Sequence, residues 1–393
     1  MDFQKDPKKS GFIRTDLPAH AARLNTTFEV EPLPLPQGEL PSMSLSNTLP
    51  PPPDWAIQEA LGLPDVHVTW LAGDGSDRCY YRIKSSASFQ SFVLMQLSGD
   101  DAQQLKEDGY EWVKIGRLLH DHGIYAPQTI APMPNFAALI IEDYGDVMLE
   151  THSLKALAHH QREPVLNLYR KSFEILGRFL QITEAGHSHW QERSFDAQRL
   201  EWELHFFREQ FIEGVLSWQF SSKELAAFSE DAKLLALTLA QGSRFFVHRD
   251  FHSRNVMVKD SDLAVIDFQD ARLGPATYDL VSLCFDSYIP LIKAERQMLV
   301  REGISALQRY VPSLSIEQLE NEWKPMLLQR QLKALGSFGF LTRKKLRGNY
   351  LRYVKPALET LDIDSIKDAR WSFISNQMIQ EIVGRWEARE PHP

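Results

Sequence analysis

His248-Arg-Asp-Phe-His-Ser-Arg-Asn255, followed by Ile266-Asp-Phe-Gln-Asp270, is the stretch that decides the fold of this 393-residue chain. The first segment has the pattern His-x-Asp-x-x-x-x-Asn, and the second places an aspartate directly after a predicted strand. Asp250 is suited to accept or orient a hydroxyl proton. Asn255 and Asp267 carry the oxygen ligands that Mg²⁺ prefers. Such a set fits phosphoryl transfer, which needs positioning and charge neutralisation more than covalent chemistry.

The spacing of these residues has a physical meaning. Asp250 and Asn255 stand at the two ends of one short loop, so a proton acceptor and a metal ligand face the same cleft. A predicted hairpin, 256–258 with 263–266, then returns Asp267 to that side. A His-x-Asp triplet alone is common by chance, whereas the joint pattern is not.

Upstream of the loop, the chain predicts a small β-rich region that starts with a helix N-capped by Asp54. Apolar, aromatic and β-branched runs predict strands, and a helical period closed by Gly123 predicts one long helix at about 101–122. The predicted strands are 66–71, 79–84, 92–97 and 136–143.

Downstream, helical periodicity dominates, with only two short strand candidates. The predicted helices are 164–183, 196–217, 222–240 and 316–335, the last broken or kinked at Pro325, and the strands are 245–247 and 263–266. We therefore predict an α+β fold with two lobes and a cleft between them. A β-rich N-lobe (54–141) and a mostly helical C-lobe (147–393) are joined by a hinge at 142–146.

The first 53 residues contain ten of the 22 prolines and show no helical or strand period. We expect residues 1–53 to form a disordered leader, because they cannot bury enough apolar surface to offset the entropy of ordering. A ligand for a proline-recognition module is the alternative interpretation.

Charge and composition exclude several classes of function. The net charge is −9 without a polybasic stretch, so neither nucleic acid nor an anionic membrane surface is an expected partner. Cys79 and Cys284 are too few for a disulfide framework and are expected to be buried, inert thiols. The longest apolar run, 136–141, is far shorter than the roughly 20 residues that cross a bilayer. We expect a cytoplasmic monomer.

The loop motif and four further stretches resemble the aminoglycoside-phosphotransferase/choline-kinase superfamily, whose members have a protein-kinase-like fold. Within it, the chain is similar to the N-acetylmuramate/N-acetylglucosamine kinases of bacterial cell-wall recycling. The stretches run from about residue 55 to 361 and include 195–204, 247–255, 265–271, 274–283 and 329–336.

The resemblance implies ATP and Mg²⁺ as cofactors and assigns roles to individual residues. Asp250 is then the catalytic aspartate, Asn255 and Asp267 are the Mg²⁺ ligands, His248 braces the loop, and Asp279 hydrogen-bonds it from below. The nucleotide contacts implied are the hairpin residues Gly73, Gly75 and Ser76 and the hinge residues Glu142 and Tyr144.

One departure from the superfamily concerns the third strand, where a phosphate-binding lysine is expected. Met95 or Gln96 stands there instead. The cell-wall sugar kinases also lack this lysine, so its absence agrees with that subgroup. Our hypothesis is that Arg82 or Arg78 neutralises the nucleotide phosphates.

The remaining candidates are less specific. His252 and Arg254 lie inside the loop and are candidates for contact with the γ-phosphate, with a surface salt bridge as the alternative for Arg254. Gln269, Asp270 and Glu203 are candidates for hydrogen bonds to sugar hydroxyls. The aromatic residues around Glu203, from Trp202 to Phe211, are typical of a helix core, with a sugar platform as the alternative.

We therefore expect a kinase that phosphorylates the anomeric hydroxyl of N-acetylmuramate or N-acetylglucosamine. Three alternatives remain at this point: phosphorylation of an aminoglycoside, phosphorylation of a small alcohol such as choline, and a pseudokinase that only binds nucleotide.

Overall fold

The computed structural model describes residues 50–73, 78–107, 109–182, 189–242, 244–259, 262–344, 348–361 and 366–389. The predicted leader therefore lies outside the described residues, apart from 50–53. Among the described residues, no helix combines the length and the apolar character needed to cross a membrane.

The N-terminal part is a five-stranded antiparallel sheet with the strand order β1-β2-β3-β5-β4. Its elements are α1 (Asp54–Leu61), β1 (His67–Gly73), β2 (Cys79–Ser85), β3 (Ser88–Gln96), α2 (Gly99–Lys106), α3 (Glu111–Asp121), β4 (Thr129–Met133) and β5 (Ala138–Glu142). Helix α1 begins as predicted, but Asp54 lies in its first turn and Pro53 takes the capping position without a side-chain bond.

Apolar side chains cover both faces of this sheet. Leu94 and Ile140 pack with Ile57 of α1 on one face, whereas Met95 and Leu139 belong to the main core on the other. Alternating residues point to opposite faces, so burial on both sides explains why these strands read as continuous apolar runs.

The prediction of one helix at 101–122 is wrong, because the chain forms two helices there. The Gly109 N–H donates to the Gln104 carbonyl (2.8 Å), which is one residue beyond the α-helical spacing. Tyr110 is extended and buried, so its ring enters the core at the break. Glycine is also a poor helix former. The predicted C-terminal end is correct, since Gly123 has a left-handed φ of 67°.

The C-terminal part is mostly helical, with two small two-stranded sheets, β6-β9 and β7-β8. Its first elements are α4 (Leu149–Ala158), α5 (Arg162–Leu180), α6 (His189–Glu192), α7 (Ala197–Phe207), α8 (Ser222–Ala240), β6 (Phe245–Val247), β7 (Val256–Lys259), β8 (Asp262–Val265) and β9 (Arg272–Gly274). The later ones are α9 (Tyr278–Cys284), α10 (Lys293–Tyr310), α11 (Ile316–Lys344), α12 (Val354–Thr360) and α13 (Ile379–Glu387).

Local sequence explains where two of these helices begin. Asp196 caps α7 by accepting the Arg199 N–H (2.7 Å). Ser221 and Glu224 form a reciprocal capping box at the start of α8. Both starts agree with the predicted ones to within one residue.

Helix α11 runs against α7 and is longer than predicted, since it continues through Pro325 to Lys344. Gly336 and Gly339 allow the two helices to approach. A Cβ at 336 would lie 2.8 Å from the Phe207 Cα, and one at 339 would clash with the Gln210 carbonyl oxygen. This packing fixes which face of α11 is turned toward the loop between β6 and β7.

Candidate active site

The segment 248–255 forms the loop between β6 and β7, and Asp279 of α9 holds it from beneath. The Asp279 carboxylate accepts the backbone N–H groups of His248 (2.6 Å) and Arg249 (3.1 Å). Arg249 has a φ of 83°, a backbone conformation that residues other than glycine rarely adopt. Burial raises the pKa of Asp279 to about 7, while the two N–H donors act against that rise.

His248 fills the space under the loop. Its ring is fully buried between Phe179 and Phe251, and its Nε2 lies 3.0 Å from the Ile266 carbonyl oxygen. Burial lowers the pKa of His248. A neutral imidazole that donates from Nε2 fits this contact and ties the loop to the end of β8.

Asp250 points into a cavity and is held by cations. Lys333 Nζ lies 2.8 Å from Asp250 Oδ1, and Arg249 Nε lies 3.6 Å from Oδ2. Burial alone would raise the pKa of Asp250, but the charges of Lys333 and Arg249 outweigh it and hold the pKa well below its usual range. The carboxylate is therefore ionised and is a weak base.

Asn255 and Asp267 lie on the same cavity as Asp250. Asn255 Nδ2 donates to the Asp250 backbone carbonyl (2.9 Å), which leaves the Asn255 side-chain oxygen for another partner. Asp267 has a φ of 64°, and its Oδ1 accepts from Gln269 Nε2 (2.7 Å). Burial raises the pKa of Asp267, and the neighbouring charge of Asp250 adds to that rise. A cation bound between these carboxylates would relieve their repulsion.

This donor set fits a hard divalent cation that brings further ligands with it. The described residues contain no cluster of three or more His, Cys, Asp or Glu side chains able to hold a metal. Mg²⁺ is commonly held by one or two protein oxygens, with water and phosphate oxygens completing the shell. Asn255 and Asp267 match that arrangement.

The cavity has a volume of about 370 Å³, and every residue that lines it follows the β5 strand in sequence. One side, which we call the metal wall, consists of Asp250, Asn255 and Asp267. A second group of lining residues, which we call the acceptor wall, consists of Tyr288, Arg330, Lys333, Phe338 and Tyr350. It meets the metal wall where Lys333 contacts Asp250.

His252 and Arg254 also line the cavity. Burial lowers the pKa of His252 to about 3, so its ring is neutral. Arg254 makes a two-pronged bond to Glu150 of α4 (2.8 and 3.0 Å), and its guanidinium lies 3.7 Å from the centre of the Tyr288 ring. The salt-bridge alternative thus describes Arg254 in this structure, and contact with a γ-phosphate stays a prediction.

The two arginines of the phosphate hypothesis are both paired with carboxylates. Arg78 bonds to Asp101 (2.8 Å), and Arg82 bonds to Asp143 (2.6 Å) and Asp146 (2.9 Å). The charge of Arg78 also acts to lower the pKa of Asp267, so Arg78 contributes to the electrostatics of the metal wall.

Of the other predicted nucleotide contacts, two lie outside the described residues and three lie within them. Gly75 and Ser76 lie outside the described residues, and Gly73 ends β1. Glu142 ends β5 and accepts the Gln128 N–H (3.1 Å), while the Tyr144 ring lies 5.6 Å from Lys259 Nζ.

Met95 and Gln96 provide no charge where the third-strand lysine was expected. Met95 lies in the core, and Gln96 is buried with its amide bonded to the carbonyls of Phe136 (2.8 Å) and Ala137 (3.1 Å).

None of the three predicted sugar contacts is among the residues that line the cavity. Gln269 is bonded to Asp267, and Asp270 is paired with Arg249 (2.9 Å). Glu203 is only 2% exposed and accepts from Gln329 (2.7 Å) between α7 and α11. Each side chain thus has a protein partner in this structure, and contact of these three residues with a sugar stays a prediction. The stripe around Glu203 is largely core, since Phe207 and Phe211 are buried.

Sequence reasoning missed the acceptor wall. Arg330 and Lys333 are charged residues at helical spacing i, i+3 within a helix whose buried positions are mostly apolar. Charged side chains on a buried face are rare and mark a polar site. That signal was present in the sequence, although it does not say which loop the helix faces.

Comparison with known proteins agrees with this geometry. The family model for APH, the phosphotransferase enzyme family, matches residues 67–312. The N-acetylmuramate/N-acetylglucosamine kinase of Pseudomonas aeruginosa is 27% identical over 304 residues, which cover 76% of this chain and 84% of that protein. The protein of the same name from Neisseria meningitidis is 25% identical, with 73% of this chain and 82% of that protein covered.

Solved structures show the same fold. An ethanolamine kinase from Plasmodium vivax has a TM-score of 0.52 at 13% identity, covering 75% of this chain and 81% of its own. An amicoumacin kinase, solved with AMP-PNP and Ca²⁺, has a TM-score of 0.51 at 14% identity, covering 78% and 92%. The predicted kinase-like α+β fold is confirmed, and the chain belongs to the APH phosphotransferase enzyme family.

Proposed function

We propose that this protein transfers the γ-phosphoryl group of Mg²⁺-ATP to the anomeric hydroxyl of N-acetylmuramate or N-acetylglucosamine. Two relatives of this name, each aligned over about three-quarters of the chain, support the choice of sugar. The ATP analogue and divalent cation in the amicoumacin kinase structure support the choice of co-substrate.

The observation that carries the proposal is the convergence of Asp250, Asn255 and Asp267 on one cavity, with Lys333 and Arg249 beside the Asp250 carboxylate. These cations hold the pKa of Asp250 well below its usual range. A carboxylate of low pKa is a poor base for an ordinary alcohol. The anomeric hydroxyl is more acidic, because the ring oxygen withdraws electron density from the same carbon. Asp250 then needs only to orient this hydroxyl and to take its proton late in the transfer.

Asn255 and Asp267 are the residues that would hold Mg²⁺. When bound, the cation neutralises charge on the phosphate oxygens. Asp279 and His248 keep the loop in the shape that presents Asp250 and Asn255 to one cavity, through the bonds described above. Cytoplasmic location and a monomeric state remain predictions.

The cavity argues against the other acceptors. An aminoglycoside is a polycation, whereas Arg254, Arg330 and Lys333 all line this cavity. Of the three carboxylates that also line it, Asp250 is paired with Lys333, Asp286 accepts two backbone N–H groups, and Asp267 is a proposed metal ligand. A choline acceptor needs open aromatic faces for its cation, and the protein's own Arg254 already covers the Tyr288 ring. A pure nucleotide-binding scaffold has no need for Asp250, Asn255 and Asp267 together.

The test is to supply the purified full chain with ATP, Mg²⁺ and each sugar, and to identify the product by phosphorus NMR. We expect a sugar 1-phosphate. Asp250→Asn should lower kcat by about 10²–10⁴-fold, with nucleotide affinity and thermal stability measured as controls. ATP consumption that is the same with and without either sugar, or an unchanged Asp250→Asn variant, would rule the proposal out.

A further inference from the structure

Lys333 is a largely buried cation on the acceptor wall that faces the cavity as well as Asp250. Its side chain is 15% exposed and lines the cavity, with Nζ 2.8 Å from Asp250 Oδ1. An ammonium group has three N–H donors. Only one of them has a hydrogen-bond acceptor among the described residues.

The other charged groups around Lys333 do not use these donors. Arg330, one turn earlier on α11, donates to the hydroxyls of Tyr278 (2.7 Å) and Ser282 (2.8 Å). Glu203 is the other carboxylate whose charge reaches Lys333, but it accepts from Gln329 and does not line the cavity. Asp267 and Asp286 also line the cavity, but Asp267 belongs to the metal wall and Asp286 accepts the N–H groups of Ser253 (2.8 Å) and Tyr288 (2.7 Å). Among the described residues, Asp250 is the carboxylate that pairs with Lys333.

An ammonium group that has lost most of its water gains most from an acceptor that carries a negative charge. The group that meets it must also lie near the hydroxyl that receives the phosphoryl group, because Asp250 and Lys333 are in direct contact. In N-acetylmuramate, the lactyl carboxylate is attached through O3, two ring carbons from the anomeric centre. In N-acetylglucosamine, the same position carries a neutral hydroxyl.

We propose that Lys333 binds the lactyl carboxylate of N-acetylmuramate and so makes the enzyme prefer this anionic sugar over its neutral analogues. The proposal rests on the function proposed above and adds the residue that determines the substrate class. Asp250 keeps one N–H of Lys333, and the carboxylate takes the donors that remain.

A second explanation of the same contact is that Lys333 only positions Asp250. The two roles differ in what they do to different sugars. A residue that acts through Asp250 affects every acceptor equally, whereas a residue that binds the carboxylate affects only acceptors that have one. The ratio of two kcat/KM values therefore separates them.

The experiment compares N-acetylmuramate with its neutral carboxamide and with N-acetylglucosamine, using the wild type, Lys333→Met, Lys333→Arg and Lys324→Met. The wild type should use N-acetylmuramate at least tenfold more efficiently than the carboxamide. Lys333→Met should bring this ratio close to one, and Lys333→Arg should keep a preference for the acid. Lys324, a residue of the same helix that does not line the cavity, should be replaceable without effect on the ratio.

Equal losses for the acid and the carboxamide in Lys333→Met would overturn the proposal, because Lys333 would then act only through Asp250. If the variant does not fold, the wild type still decides: equal kcat/KM values for the two compounds contradict the proposal. Failure of the wild type to phosphorylate any of the three sugars would instead refute the proposed function.

Discussion

The metal wall and the acceptor wall line one cavity and meet where Lys333 contacts Asp250, but the chain builds them in different ways. Asp250, Asn255 and Asp267 come from one continuous segment, with the short β7–β8 hairpin between them. The acceptor wall collects Tyr288 from the chain after α9, three side chains from α11, and Tyr350 from the turn that follows.

The difference has an energetic side. Local bonds hold the metal wall, with Asp279 under the loop and the Asn255 amide on the Asp250 carbonyl. The packing of long helices holds the acceptor wall, above all the close contact of α11 with α7. A change in the metal wall should therefore affect every acceptor, and a change in the acceptor wall should affect acceptors selectively.

The largest effect in this comparison is expected from Asp279→Ala. The substitution leaves two buried N–H groups, those of His248 and Arg249, without an acceptor and frees the strained Arg249 backbone. A displacement of Asp250 by about 1 Å is enough to lower kcat about 10²-fold. The loss should be the same for every sugar, as measured by steady-state kinetics.

The control is Asp262→Ala, which removes an exposed carboxylate at the start of β8. Thermal melting of both variants shows whether the fold survives, since an unpaired buried donor costs about 1–3 kcal/mol. A kcat for Asp279→Ala within about threefold of the wild type would mean that the shape of the loop does not depend on the two hydrogen bonds to Asp279.

These two walls also show what a sequence can predict. The convergence of Asp250, Asn255 and Asp267 on one cavity could be predicted, because a short loop and a hairpin set their relation and the spacing fixes that geometry. Gln269 and Asp270 were chosen only because they follow Asp267. After Asp267 the chain turns, Asp270 reaches back to Arg249, and Gln269 folds onto Asp267 itself.

Lys333 shows what the sequence does not predict, namely a contact between residues that are far apart in the chain. Its position on a buried helix face marks a polar site, but its partner lies far away in sequence. Which loop α11 faces depends on how its glycines fit against α7, and periodicity carries no such information. The break between α2 and α3 was missed for a related reason, because the burial of Tyr110 is a tertiary effect.

Gly339→Ala tests the packing that supports the acceptor wall. Its new Cβ would clash with the Gln210 carbonyl oxygen, so α11 must move away from the backbone that follows α7. We expect the free energy of unfolding to fall by about 1–3 kcal/mol. The KM for the sugar should rise while the KM for ATP stays constant, because Lys333 moves with α11.

Gly384→Ala in α13 is the matched control, since no atom lies within 4 Å of the place that an alanine Cβ would take there. At this position, alanine should leave stability unchanged or raise it by up to about 1 kcal/mol, because it is the better helix former. Equal behaviour of the two variants in urea unfolding would show that α7 and α11 have room to adjust.

The smallest effect concerns pH and a histidine on the cavity. Burial lowers the pKa of His252 to about 3, whereas an unfolded histidine titrates near about 6.5. Below about pH 6.5, His252 therefore takes up a proton in the unfolded chain but stays neutral in the folded protein. The stabilisation is complete above that pH and is lost as the pH falls toward 3.

Between about pH 7.5 and 5.5 this one histidine should lower the free energy of unfolding by about 1.4 kcal/mol. Asp279, whose pKa is raised by burial, acts in the opposite sense over the same range.

The pH profile of the wild type alone does not separate the two groups. The measurement is therefore the difference between the free energies of unfolding of the wild type and of His252→Gln, determined in urea at both pH values. The variant should be less sensitive to acid by about 1.4 kcal/mol, and the same substitution at exposed His159 should not. An identical pH response of His252→Gln and the wild type would mean that His252 accepts a proton in the folded state. The cavity beside the loop between β6 and β7 would then be more open to water than the low pKa of His252 indicates.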